Sequence, residues 1–120
     1  MNVGGNTTAI EIKAINDGLT RVVLAGRLDT PGVDRIETQF VGATVPAAKN
    51  VIVDLSRVDF VASMGIRMFV SVARSMSHRQ ARIALYGATR LVQEVFEHVA
   101  LRDILPIADD ETAAIAAVSG

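Results

Sequence analysis

The sequence predicts a small α/β domain built on a mixed β-sheet, and three observations carry that prediction. Two segments of strand type flank Asn16-Asp17-Gly18, a strong turn signal that makes them hairpin partners. Residues 49–55 (KNVIVDL) then carry three consecutive β-branched residues, as a central strand buried on both faces requires. Beyond them, stretches of helical period alternate with short apolar runs, the order that a mixed sheet layered with helices produces.

Taken in order, residues 1–8 are small and polar and are expected to fray, leaving 9–120 as the folded domain. Ile10, Ile12 and Ala14 alternate with Glu11 and Lys13, the pattern of a half-buried strand. Residues 20–28 (TRVVLAGRL) form its partner, and Gly26 near the end marks a bulge or a close backbone approach. Asp29-Thr30-Pro31 opens a helix, with Thr30 as the expected cap and Pro31 at the first helical position. Val33, Ile36 and Phe40 recur there at helical spacing. After Ser63 a second helix is predicted, with Ile66, Phe69, Val70 and Ala73 inward and Arg67, Ser71, Arg74 and His78 on the opposite stripe. Residues 81–86 (ARIALY) form another strand, and Thr89 caps a helix whose Leu91, Val92, Val95, Phe96 and Val99 face inward. Residues 101–107 (LRDILPI) leave room for a short last strand. The tail from Asp109 reads as a terminal helix with three acids at its positive end.

Composition bounds the function. At 120 residues there is room for one core. Half the residues are apolar and 21% are charged, with a net charge of −1 and no basic run, which argues against nucleic-acid binding. Cysteine is absent, so neither a disulfide framework nor a thiolate site exists. The N-terminus lacks the charged and apolar regions of a secretory signal. The most apolar stretch, residues 60–73, is broken by Arg67 and is too short to span a bilayer. The expectation is a soluble, cytoplasmic protein without direct membrane insertion.

Ser63 is the residue that needs an explanation. It falls where the central strand hands over to a helix, and serine is a preferred cap there. A nucleophile is the second reading, since Val61-Ala62-Ser63-Met64-Gly65 is half of a G-x-S-x-G elbow. The partners fail it: His78 lies about 22 Å along the helix that Ser63 opens, and the acids near His98 share its own helix. Two separated histidines and scattered acids give no metal-ligand spacing, and no phosphate-binding glycine loop is present. No catalytic residue, metal or cofactor is therefore expected. The third reading is a surface hydroxyl at a helix N-terminus that another protein modifies. A phosphate there meets free backbone N–H groups, so the fold tolerates it, while a docking partner meets about −1.5 to −2 added charges.

Several segments together resemble the anti-sigma factor antagonists built on the STAS domain, over residues 10–118. Asp54-Leu55-Ser56-Arg57-Val58-Asp59-Phe60 followed by Ala62-Ser63-Met64-Gly65-Ile66 is similar to that family's D-L-S-x-V-x-F-x-D-S-x-G signature. Gly26-Arg27-Leu28-Asp29 is similar to its G-x-L-D, and the closing residues 101–107 with the acidic, Ala-rich tail resemble its ending. The resemblance implies a single STAS-like domain, with a mixed sheet of four to five strands and helices mainly on one face. It implies a non-enzymatic regulator whose unmodified form binds an anti-sigma factor with serine kinase activity and so frees a sigma factor. Ser63 then occupies the phospho-acceptor position, and a serine phosphatase resets the modified form. Asp29, Ala62, Ser63, Met64, Gly65 and Arg67 form the expected partner-binding surface. Ala62 stands where many members carry aspartate. That departure motivates an alternative of another class, a constitutive scaffold or accessory subunit of a sensory complex or of a membrane lipid-transport system.

Overall fold

The chain turns where Asn16-Asp17-Gly18 predicts. In the computed structural model, which describes residues 7–119, β1 (Ala9–Asn16) and β2 (Leu19–Leu28) form an antiparallel hairpin. Asn16 Oδ1 accepts the Gly18 N–H at 2.8 Å, the local bond that makes asparagine a turn former. The chain continues through α1 (Thr30–Thr44), β3 (Asn50–Val61), α2 (Ser63–His78), β4 (Ile83–Tyr86) and α3 (Arg90–His98). A 3-10 turn (Leu101–Asp103), β5 (Ile107–Ala108) and α4 (Glu111–Ser119) complete it. The sheet runs β1-β2-β3-β4-β5, antiparallel in its first pair and parallel in the others, so it is mixed and five-stranded.

Three helices cover one face. Phe40, Phe69 and Phe96, one from each of α1, α2 and α3, meet edge to face with ring centroids 6.3 Å apart in both pairs. They seal a core of Leu24, Leu28, Val53, Leu55 and Leu85 from the sheet. On the opposite face, among the described residues, α4 lies alone, with Ala114 and Val118 over Leu19, Ile52, Ala84 and Tyr86. Val51, Ile52 and Val53 are fully buried because β3 is covered on both sides.

Gly26 meets both expectations. Its φ is +89°, a Cβ there would lie 2.9 Å from Thr7 O and Thr8 Cα, and the β2–β3 register slips between Gly26 and Arg27. Other boundaries move. Thr30 is exposed and begins α1, whereas Asp29 is the cap, its Oδ1 accepting the Gly32 N–H at 3.0 Å. In α2 the buried line is Gly65, Met68, Phe69, Val72 and Met76, with Ile66, Val70 and Ala73 on its margin. In α3 only Val92 and Phe96 are buried; Leu91 and Val99 are 56% and 48% exposed, because a nine-residue helix over the sheet's end contacts the core along one narrow line. Within residues 101–107 the 3-10 turn takes the first three and buries Leu101, Leu105 reaches the core, and β5 begins only at Ile107. Thr8, expected to fray, is buried and donates its Oγ1–H to Arg27 O at 2.7 Å. The same expectation for residues 1–6 lies outside the described residues.

Candidate functional site

The C-terminal ends of β2 and β3 bring the starts of α1 and α2 together. Leu28 pairs with Val61 and Arg27 with Phe60, and the Ala62 N–H donates to Leu28 O at 3.0 Å. Ser63 follows as the first residue of α2, and it is exposed. It is not the cap. Ala62 holds that position in extended geometry (φ −107°, ψ −177°), and its side chain makes no capping hydrogen bond. The N–H groups of Gly65 and Ile66 bond to Ala62 O at 2.9 and 3.2 Å. Those of Ser63 and Met64 have no partner inside the helix, as at any helix start.

Gly65 holds this junction close. It is buried, and a Cβ would lie 3.0 Å from Leu28 Cβ, Leu28 O and Val61 Cγ1 at once. Its contribution to the fold is therefore to let α2 approach β2. Met64 is half-buried against the core, and Arg67, one turn beyond Ser63, is exposed. Asp29 has both carboxylate oxygens engaged: Oδ1 takes the Gly32 N–H and Oδ2 takes Arg27 Nε–H at 3.1 Å. The Gly32 N–H first, and the Arg27 guanidinium second, hold its carboxyl below the ordinary value of 3.8. Asp29, Ala62, Ser63, Met64 and Arg67 thus gather at one end of the sheet, with exposure concentrated at Ser63 and Arg67.

His78 is the last residue of α2, fifteen residues and about 22 Å from Ser63. The exposed His98 places Nδ1 3.1 Å from Glu94 O on α3. Among the described residues no three His, Cys, Asp or Glu side chains gather as metal ligands do, and no helix is long and apolar enough to cross a membrane.

The family model described as "Mlab, STAS domain" matches residues 13–106. The chain belongs to the STAS domain family. BtrV of Bordetella bronchiseptica, named provisionally as an anti-sigma factor antagonist, is 29% identical over 101 residues, covering 84% of this chain and 87% of BtrV. The anti-sigma-B factor antagonist of Listeria monocytogenes is 26% identical over 103 residues, covering 86% and 90%. The crystal structure of an anti-sigma factor antagonist from Mycobacterium paratuberculosis superposes with a TM-score of 0.85 at 19% identity, over 98% of both chains, and so shares the fold.

Two groups of this STAS domain escape a reading of the sequence. The Arg27 guanidinium lies 4.4 Å from the centre of the Phe60 ring, so a cation–π stack adjoins the Arg27–Asp29 ion pair beside the start of α2. Only the β2–β3 register reveals it. On the far face, Glu111 Oε1 accepts from Tyr86 Oη–H at 2.7 Å and from Arg21 Nη1–H at 3.1 Å. These bonds tie the first turn of α4 to the sheet and hold the Glu111 carboxyl below its ordinary 4.5, Tyr86 contributing most. Burial, then the bond to Glu111, pushes the Tyr86 hydroxyl well up.

Proposed function

We propose that this STAS domain is an anti-sigma factor antagonist governed by phosphorylation of Ser63. The unmodified form binds an anti-sigma factor with serine kinase activity through Asp29, Ala62, Ser63, Met64, Gly65 and Arg67, and the sigma factor is released. The domain acts by contact rather than by catalysis. Phosphorylation of Ser63 ends binding, and a serine phosphatase restores it. The observation that carries the reading is the exposed Ser63 at a helix start without a side-chain cap. The names of the Bordetella and Listeria relatives support it.

The physical argument is one of unequal costs. A phosphate at Ser63 adds about −1.5 to −2 charges next to open N–H groups and the positive end of the α2 dipole, so the domain accommodates it. A partner that buries the same surface must strip water from that charge without a matching donor set, which is expensive.

Incubation with the cognate kinase and ATP, followed by intact mass, tests the proposal. The expected result is one phosphate, absent in Ser63→Ala. That variant keeps binding the kinase and cannot be switched off, whereas Ser63→Glu loses binding. An unmodified Ser63 together with full binding by Ser63→Glu eliminates the switch. Ala62, lacking the family's aspartate, favours a second reading as a constitutive scaffold or accessory subunit of a sensory or lipid-transport complex. Under that reading Ser63→Glu leaves the assembly intact.

A further inference from the structure

Strand order leaves β1 at one end of the sheet, paired with β2 on one side and, among the described residues, with no strand on the other. The edge runs eight residues, regular from Ala9 to Ala14 with a register shift before Asn16, and it presents open backbone donors and acceptors that neither proline nor glycine interrupts. We propose that this edge pairs antiparallel with β1 of a second copy, about a two-fold axis at Ile12. The proposal is independent of the phosphorylation reading.

The strand's own sequence, AIEIKAIN, selects both partner and register. Pairing about Ile12 sets Glu11 opposite the second copy's Lys13, and Lys13 opposite its Glu11. It also sets Ile10 opposite Ala14, and Ile12 opposite its own counterpart. Opposite charges and apolar pairs across strands are both favourable, whereas like charges directly opposite are destabilising. An axis at Glu11 or Lys13 brings two like charges together. An axis half a step to either side of Ile12 sets an isoleucine against a charge. Only the Ile12 register matches both faces.

The surroundings of these side chains agree. Ile10 and Ile12 lie half-buried against the helix-covered core, while Glu11 and Lys13 are exposed on the other face. Lys13 stands opposite Arg21 of β2, a like charge, and the carboxylate paired with Arg21 is that of Glu111. Among the described residues no ion pair inside the chain uses Glu11 or Lys13. The second copy's Glu11 supplies the missing counter-charge. The pairing makes one continuous ten-stranded sheet with both α1 helices on the same side. One strand from each copy is a small interface, so the dimer exchanges with monomer as concentration changes.

Sedimentation velocity over a concentration series, from low micromolar to submillimolar, tests this. The wild type is expected to show a monomer–dimer equilibrium. Lys13→Glu and Glu11→Lys are each expected to weaken it about tenfold, because each replaces two attractive pairs by two repulsive ones. An equimolar mixture of the two variants is expected to restore a dimer, since each carries the sign that the other has lost. Both positions are exposed, and far-UV circular dichroism confirms folding of each variant. A monomer at every concentration, or a dimer indifferent to both substitutions, overturns the proposal. So does hydrogen-exchange protection of the β1 edge amides that is equally strong in dilute monomer, which assigns the edge to another segment of the same chain.

Discussion

Replacing Ala62 by aspartate supplies the side-chain acceptor that the start of α2 lacks. The backbone at Ala62 already has the extended geometry of a cap, and its carbonyl serves Gly65 and Ile66. A carboxylate at this position reaches the N–H of Met64 or Gly65, the second and third residues of the helix. The gain from alanine to a good cap is about 1 kcal/mol. Part of it, roughly 0.3–1 kcal/mol, is interaction of the charge with the helix dipole and falls with salt. For a domain of this length, about 1 kcal/mol raises Tm by roughly 3–6 °C. Thermal melts of wild type, Ala62→Asp and Ala62→Asn at low and high salt separate the two contributions. Asparagine caps without charge, so the order Asp above Asn above wild type is expected, with the Asp–Asn gap closing in high salt. If Ala62→Asp is no more stable than wild type at either salt concentration, α2 does not begin with open N–H groups. The argument that the domain accommodates a phosphate on Ser63 then fails with it.

Two further predictions concern what holds the platform. Phe69 is fully buried and stacks on both Phe40 and Phe96, so Phe69→Ala is expected to cost about 3–5 kcal/mol in urea denaturation, and a loss below 1 kcal/mol would show that the three helices do not share one core. Glu111 is held below its ordinary 4.5 by Tyr86 and Arg21, so its contribution is complete above that value and is lost as pH falls through the lower folded value. Glu111→Gln is expected to flatten that part of the pH–stability profile, and an unchanged slope would remove Glu111 as its source.

The sequence made some elements legible and hid others for identifiable reasons. The run Val51-Ile52-Val53 reads as a buried strand because three β-branched residues together suit a strand covered on both faces. Its continuation to Val61 was hidden because β3 slips against β2 between Val23 and Ala25 and again between Gly26 and Arg27. Each slip breaks the two-residue alternation, so Ser56, Arg57 and Asp59 read as loop. Helical period located α2 and α3 but not where their neighbours stop, which is why Leu91 and Val99 were assigned inward. In α2, Met68 and Met76 carry the buried line that Ile66 and Val70 were expected to carry. At the site, Ser63 and Asp29 were legible from their motifs. Gly65 was legible as a helix-start glycine that lets the backbone pack closely, while its neighbours there, Leu28 and Val61, follow from strand register. The Arg27–Phe60 stack depends on strand register, and the Arg21–Glu111 contact joins residues ninety apart, so local pattern carries neither.

The arrangement around Ser63 also explains how a charge can act there without disturbing the fold. The fully buried side chains of α2 are Met68, Phe69, Val72 and Met76, on turns beyond Ser63. The β2–α1 corner is fixed separately, by the Asp29 cap, its ion pair to Arg27 and the packing of Arg27 on Phe60. Neither anchor uses the Ser63 side chain. Between them Gly65 leaves no slack, because backbone and side-chain atoms of Leu28 and Val61 already stand at contact distance from where a Cβ would be. A substituent on Ser63 therefore has no route into the core and changes the surface potential of a rigid corner. Under the proposed switch, the surface met by a docking partner differs between the unmodified and phosphorylated forms in charge rather than in shape, and the cost of desolvating that charge falls on the complex rather than on the domain.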